Sequence, residues 1–222
     1  MEKLEQIIEE IHHTFEIRTK ARDQALQQAR RLTRFCSKAI RAVHRDECDL
    51  AQEHLGNAQS LVDSLKENLS EHPDLYFAGY TQDSLKEFVE ASITYALLNN
   101  HPLPTPEDLE VEHATYLKGL AEVPGELRRK CLDILRQGHS EQAETLLDYM
   151  DGIYGVLVTM DYPDAITGGL RRLTDIVRAV TERTRGDLTL SLRQERLEAR
   201  LLAFENKFLE DGPDQAQADA KD

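Results

Sequence analysis

The sequence predicts an all-α fold of seven helices, with one long helix at the N-terminus, in a single domain over 1–209. Apolar residues recur at three- and four-residue spacing along most of the chain, and no stretch alternates convincingly as a half-buried strand does. Glu, Leu, Ala, Arg and Gln dominate a chain that lacks Trp, a mix that favours helix over sheet.

The elements follow in order. Residues 2–45 read as one helix, through Ile7, Ile8, Ile11 and Phe15 and then Leu32, Phe35, Ala39 and Val43, with neither Gly nor Pro. A second helix spans about 46–69, and the stretch from His72 to Gly79 breaks it. A third runs from Thr81 or Gln82 to about Leu98, followed by a Pro-rich loop from Asn99 to Pro106. The fourth is expected from Glu110 to Gly138, a C′ glycine, and Pro124 should kink or locally break it. A fifth starts at Ser140 and reaches about Val158. Asp161-Tyr-Pro163 looks like a cap opening a sixth helix to Arg185; Gly186-Asp187 then resets the chain before a seventh to about Phe208. Gly168-Gly169 is expected to allow close helix packing. The polar tail over 210–222 is expected to be disordered and acidic.

No stretch approaches the roughly 18 apolar residues of a membrane span, so no membrane partner is expected. Cys36, Cys48 and Cys131 are scattered, with no paired metal spacing, and read as reduced thiols, which makes cytoplasm the expected compartment. The net charge of −14 is unevenly spread. Between Ile17 and Arg45 nine basic residues face one acid, Asp23, a local +8 that leaves −22 for the remainder. Such a stripe is either a local polyanion site or a solvated face paired with acids of neighbouring helices.

Four glutamates stand out. Glu87 and Glu90 are three residues apart, Glu122 and Glu126 four apart, so each pair shares one face of its helix. Four converging carboxylates need a cation, and a hard divalent ion such as Mg²⁺ serving phosphate chemistry is the usual one. On a helical wheel, however, each pair lies opposite its helix's apolar stripe, so none is forced into the core. From spacing alone, ordinary solvent-facing glutamates account for the pattern. Periodicity does not show whether the two polar faces look at each other.

Several segments resemble the translin family, over nearly the whole chain. They are Ser37-Lys-Ala-Ile-Arg-Ala-Val-His-Arg45, Gly119-Leu-Ala-Glu-Val-Pro-Gly-Glu-Leu-Arg-Arg129, Asp148-Tyr-Met-Asp-Gly-Ile-Tyr154, and Asp161-Tyr-Pro-Asp-Ala-Ile-Thr-Gly-Gly-Leu-Arg-Arg172, the last similar to archaeal members. The family has a binding branch, translin, and a catalytic branch, translin-associated factor X. Leu85-Lys-Glu-Phe-Val-Glu-Ala91 resembles the catalytic branch, as does Glu122 followed by Gly125-Glu126-Leu127. Where that branch usually has Asp this chain has Glu122, which keeps the charge and lengthens the arm.

The resemblance implies an Mg²⁺-dependent endoribonuclease (Mn²⁺ as the alternative ion) acting on single-stranded RNA inside a hollow, octamer-like homo-oligomer. Glu87, Glu90, Glu122 and Glu126 would hold the metal on the inner surface, with a carboxylate left off it as general base. Arg18, Lys20, Arg22, Arg30, Arg31 and Arg34 would supply salt-sensitive, weakly specific affinity for RNA, and single-stranded DNA is a further ligand to test. The alternative within the family is a non-catalytic binder of single-stranded RNA or DNA. A scaffold protein is a third reading.

Other chemistries fit less well. Glu9-x-x-His12, Glu10-x-x-His13 and Glu110-x-x-His113 have the spacing of helix-bundle metal oxidases but lie at helix ends. The cysteines sit in or beside core patterns, where thiols pack rather than react. No Gly-rich phosphate loop occurs, and His44, His72, His101 and His139 are expected at caps or on the surface.

Overall fold

The computed structural model describes residues 1–138 and 140–210, and among these every regular element is a helix. The expected disordered tail falls on 211–222, and His139 on the gap; both lie outside the described residues. Six long helices carry the fold: α1 (Glu2–His44), α2 (Cys48–Asn68), α4 (Gly79–Leu98), α5 (His113–Arg136), α6 (Ser140–Leu157) and α8 (Leu170–Glu210). Two single-turn helices, α3 (Pro73–Tyr76) and α7 (Asp164–Thr167), fill the breaks. Helices α1, α2 and α4 pack on one another, as do α5, α6 and α8, and the two groups meet along α4 and α5.

The boundaries differ from expectation in three places, each with a local cause. Helix α8 runs unbroken through Gly186-Asp187. A glycine in a helix interior costs about 1 kcal/mol, but Arg128 on α5 grips this turn through Asp187 at 2.8 Å and the Thr184 hydroxyl at 3.0 Å, and Leu188 is buried. Pro163 opens only the one-turn α7, because Gly168 takes the left-handed conformation at φ 59° and Gly169 follows at 89°. The pair stops the helix, and Gly168 also allows the close approach expected, since a Cβ there would meet the Lys118 side chain of α5, whereas nothing lies near Gly169. Helix α5 begins at His113, after a turn locked by reciprocal Thr105–Asp108 bonds of 2.9 and 3.1 Å, and it continues through Pro124 without a break. Its end is as expected, with Gly138 at φ 80° just beyond the cap.

Burial is unequal along the two longest helices. Residues 1–20 of α1 are all exposed, including Leu4, Ile7, Ile8, Ile11 and Phe15. Past Leu188, helix α8 leaves Leu190, Leu197, Leu201 and Leu202 exposed, while Leu192 still packs against the core. Helix α4 is the opposite case. Leu85, Phe88, Val89, Ala91, Ile93 and Thr94, which point in different directions around it, are all buried.

Candidate active site

The site lies on the α4–α5 seam, and the seam is narrow because of Gly119. A Cβ there would sit 2.6 Å from the Val89 Cβ and 2.8 Å from the Lys86 carbonyl oxygen, closer than side chain and backbone tolerate. With nothing at that position the helices approach, and the polar faces carrying Glu87 and Glu90 on α4 and Glu122 on α5 turn toward each other. One carboxylate oxygen from each of these three lies within 4.8 Å of the others.

The wheel placed all four glutamates away from the core, and for Glu90 that expectation fails. It is 9% exposed, because α4 is covered on both sides by α1 and α5, so the face opposite its apolar stripe is interior too. Burial, followed by the charges of Glu122, Glu87 and Glu126, pushes its pKa up to about 8, against the opposing pull of Lys86. Glu87 and Glu122 are partly open to solvent.

Two side chains to which sequence reasoning gave no role in the site, Lys86 and His44, hold its carboxylates. The Lys86 ammonium bonds Glu122 at 2.5 Å and lies 3.6 Å from Glu87. Burial lowers its pKa, but the hydrogen bond and charge of Glu122, with Glu87, outweigh burial and hold it above the usual lysine range. Glu126 is outside the group of three. His44, at the last turn of α1, donates Nε2–H to it at 2.5 Å, since an ionised carboxylate only accepts, and Arg129 flanks it at 3.7 Å. The His44 bond holds the Glu126 carboxyl below its ordinary range, against burial. His44 is therefore not the cap or surface residue expected: its side chain is 4% exposed and its Nδ1 is buried without a partner. Lys130 seats it by clamping Asp46 of the α1–α2 turn at 2.7 Å. Its one sequence signal was its place in the Ser37–Arg45 segment. For Lys86 the signal was adjacency to Glu87.

Cys36 is buried, and burial with the charges of Glu87 and Glu90 drives its thiol well above the usual range, so it is an inert neighbour. Cys131 is also buried, whereas Cys48 is exposed, contrary to the packing role expected of it.

Arg18, Lys20, Arg22, Arg30, Arg31 and Arg34 are all exposed. Arg18 pairs with Asp74 of α3 and Arg22 with its neighbour Asp23. Arg30 is the one the structure brings to the acidic seam: it lines a groove of about 400 Å³ between α1 and α4 together with Thr33, Tyr80 and Glu87. Arg34 lies one turn further along the same face. The oxidase-like motifs stay apart from this site, with Glu9, Glu10, His12 and His13 exposed on α1, Glu110 paired with Lys66 at 2.6 Å and His113 with Glu107 at 3.6 Å.

An all-α bundle with a long first helix and an acidic seam between α4 and α5 defines a translin-type protein, and comparison with known proteins agrees. The fold matches AfC3PO, alone (31% identity, TM-score 0.78) and in a complex with duplex RNA (32% identity, TM-score 0.78), covering 86% of this chain and 98% of that one in each case. It also matches apo-NeC3PO at 20% identity and TM-score 0.76, over 83% of this chain and 96% of that one, a likeness of fold. An uncharacterized protein of Methanocaldococcus jannaschii is 30% identical over 182 residues, 81% of this chain and 80% of that protein. No protein-family model matches the chain. The chain belongs to the translin family and is similar to its archaeal C3PO-type members.

Proposed function

We propose that this protein is a divalent-metal-dependent endoribonuclease that acts on single-stranded RNA as a homo-oligomer. The observation that carries the reading is the meeting of Glu87, Glu90 and Glu122 within 4.8 Å, beside a fourth carboxylate held separately. The donor set fits the ion: three oxygen ligands suit Mg²⁺ or Mn²⁺, and a buried Glu90 crowded by three like charges gains by their neutralisation. When bound, such an ion polarises a phosphodiester oxygen and acidifies a water. Glu87, Glu90 and Glu122 would hold it. Glu126 stays ionised and oriented through His44 and is the carboxylate left off the metal, placed to accept the proton of the attacking water, though His44 makes it a weaker base than an ordinary carboxylate. Arg30, on the groove shared with Glu87, would hold a phosphate of the incoming strand, and the other exposed cations of α1 would add sequence-independent affinity.

Self-assembly is supported by the exposed apolar stripes on α1 (Leu4, Ile7, Ile8, Ile11) and on α8 (Leu190, Leu197, Leu201), surfaces that a lone chain leaves in water. RNA as ligand is supported by the duplex-RNA complex of AfC3PO.

One observation favours the non-catalytic alternative. Lys86 already supplies the carboxylates with a cation. The test is cleavage of labelled RNA, single-stranded and duplex, with Mg²⁺, with EDTA, and with Glu126→Ala. Cleavage of the single strand that is lost in both controls is the expected outcome; RNA bound and never cut would place the chain with the binding proteins.

A further inference from the structure

Among the described residues, Lys86 is the ammonium that enters the group of carboxylates, and its placement has a consequence beyond the nuclease reading. Its Nζ lies 2.5 Å from Glu122 Oε1 and 3.6 Å from Glu87 Oε1, and those two side chains are members of the group whose oxygens converge within 4.8 Å. The ammonium and a divalent ion therefore draw on the same oxygens. The Lys86 side chain is 18% exposed, so its charge is only partly screened by water. Its carbonyl abuts Gly119, which pins its backbone to the seam and leaves the side chain as the part free to move.

We infer that Lys86 is a positioning residue, a resident counter-ion that offsets part of the seam's negative charge and keeps it folded without metal and must release Glu122 when a metal enters. The lysine and the ion then compete. Metal-free protein gains stability from Lys86, metal affinity is held down by it, and loading exposes its ammonium to solvent. The inference rests on the seam being a metal site, though not on RNA being cut there.

Lys86→Met keeps the length of the side chain and removes its charge. Titrated calorimetrically with Mn²⁺, the variant should bind on the order of tenfold more tightly than the parent, the effect of removing one close competing charge. Its melting temperature should fall below the parent's in EDTA, and the gap should close in saturating Mn²⁺, because the ion then does what the lysine did. Equal or weaker Mn²⁺ binding by the variant, or a melting gap of the same size with and without the ion, overturns the inference. The parent alone gives a second readout that needs no variant to fold. Amine labelling followed by peptide mass spectrometry should find Lys86 severalfold more reactive with Mn²⁺ than with EDTA, and unchanged reactivity on a metal-loaded protein would sink the exchange. These readouts are separate from catalysis: RNA left intact by a protein that binds Mn²⁺ in competition with Lys86 refutes the nuclease reading alone.

Discussion

The α4–α5 seam and the exposed face of α1 both concentrate charge, but burial makes them different kinds of surface. On the seam the carboxylates are individually fixed: Lys86 pairs with Glu122, His44 bonds Glu126, and burial holds Glu90 with its pKa raised. On α1, Lys20, Arg30, Arg31 and Arg34 stand in water, where single pairs are worth about 1 kcal/mol or less. A buried charge acts as an individual, so its loss is felt whole. Exposed charges act as a sum, so any one of them is replaceable. The contrast orders the expected size of perturbations.

The largest effect belongs to single seam residues. Glu126→Ala or Glu90→Gln should lower single-turnover RNA cleavage by roughly a thousandfold and leave RNA affinity within about twofold in a filter-binding assay, since phosphate contacts on α1 carry affinity. A Glu126→Ala protein that cuts at the parental rate would erase the distinction between the two regions.

Gly119→Ala tests the geometry beneath the chemistry. The added methyl meets Val89 and the Lys86 backbone, so α4 and α5 must separate. Overpacking of this kind costs about 1–3 kcal/mol, which at this chain length lowers the melting temperature by about 2–4 °C per kcal/mol. Mn²⁺ affinity should fall with it, because the three glutamates come from two helices. By contrast, Ala at Gly56 or Gly186, where a Cβ meets nothing, should leave metal binding untouched.

Arg30→Glu with Arg34→Glu probes the other region. The double reversal should weaken RNA binding by about tenfold or more at low salt and flatten the log–log salt dependence by about 1.4, two single-strand phosphate contacts at about 0.7 each. The turnover of saturating RNA should change little. An Arg18→Ala protein should bind nearly as the parent does, since Arg18 is already engaged by Asp74.

The same contrast explains what could be read from sequence. The all-α class, the long α1 and the basic stripe were legible because an exposed helix displays its periodicity and charge without interference. Glu90 was misplaced because a wheel assumes one buried face, and α4, covered by α1 and α5, keeps only a narrow open strip at Asp83 and Glu87 that does not reach Glu90. His44 escaped because its partner Glu126 lies 82 residues away, a distance no local pattern spans. The run through Gly186 escaped for the same reason, since Arg128 reaches it from another helix. Spacing and family resemblance pointed to four glutamates, of which the structure brings Glu87, Glu90 and Glu122 together, but neither supplied Lys86, which belongs to this site's own arrangement.

The pH dependence of stability gives the most direct comparison of two carboxylates within the seam. Unfolded, Glu90 titrates in the ordinary carboxylate range; folded, it keeps its proton until about pH 8. Between those values the folded chain binds more protons than the unfolded one, so metal-free stability is highest at the acid end of that window and falls as pH rises toward 8. Glu126 has the opposite sign. Its folded pKa lies below the ordinary range through His44, so its contribution is present above that range and is lost as pH drops through the folded value. Melting curves in EDTA should therefore show two separate limbs, a loss in acid belonging to Glu126 and a slow decline from about pH 5 to about pH 8 belonging to Glu90. Glu90→Gln should flatten the second limb alone, and His44→Ala should shrink the first. Saturating Mn²⁺ should reverse the second limb, because ligation requires the ionised carboxylate and so favours high pH. A Glu90→Gln protein that kept the decline would assign it elsewhere and leave Glu90 no different from the exposed charges of α1.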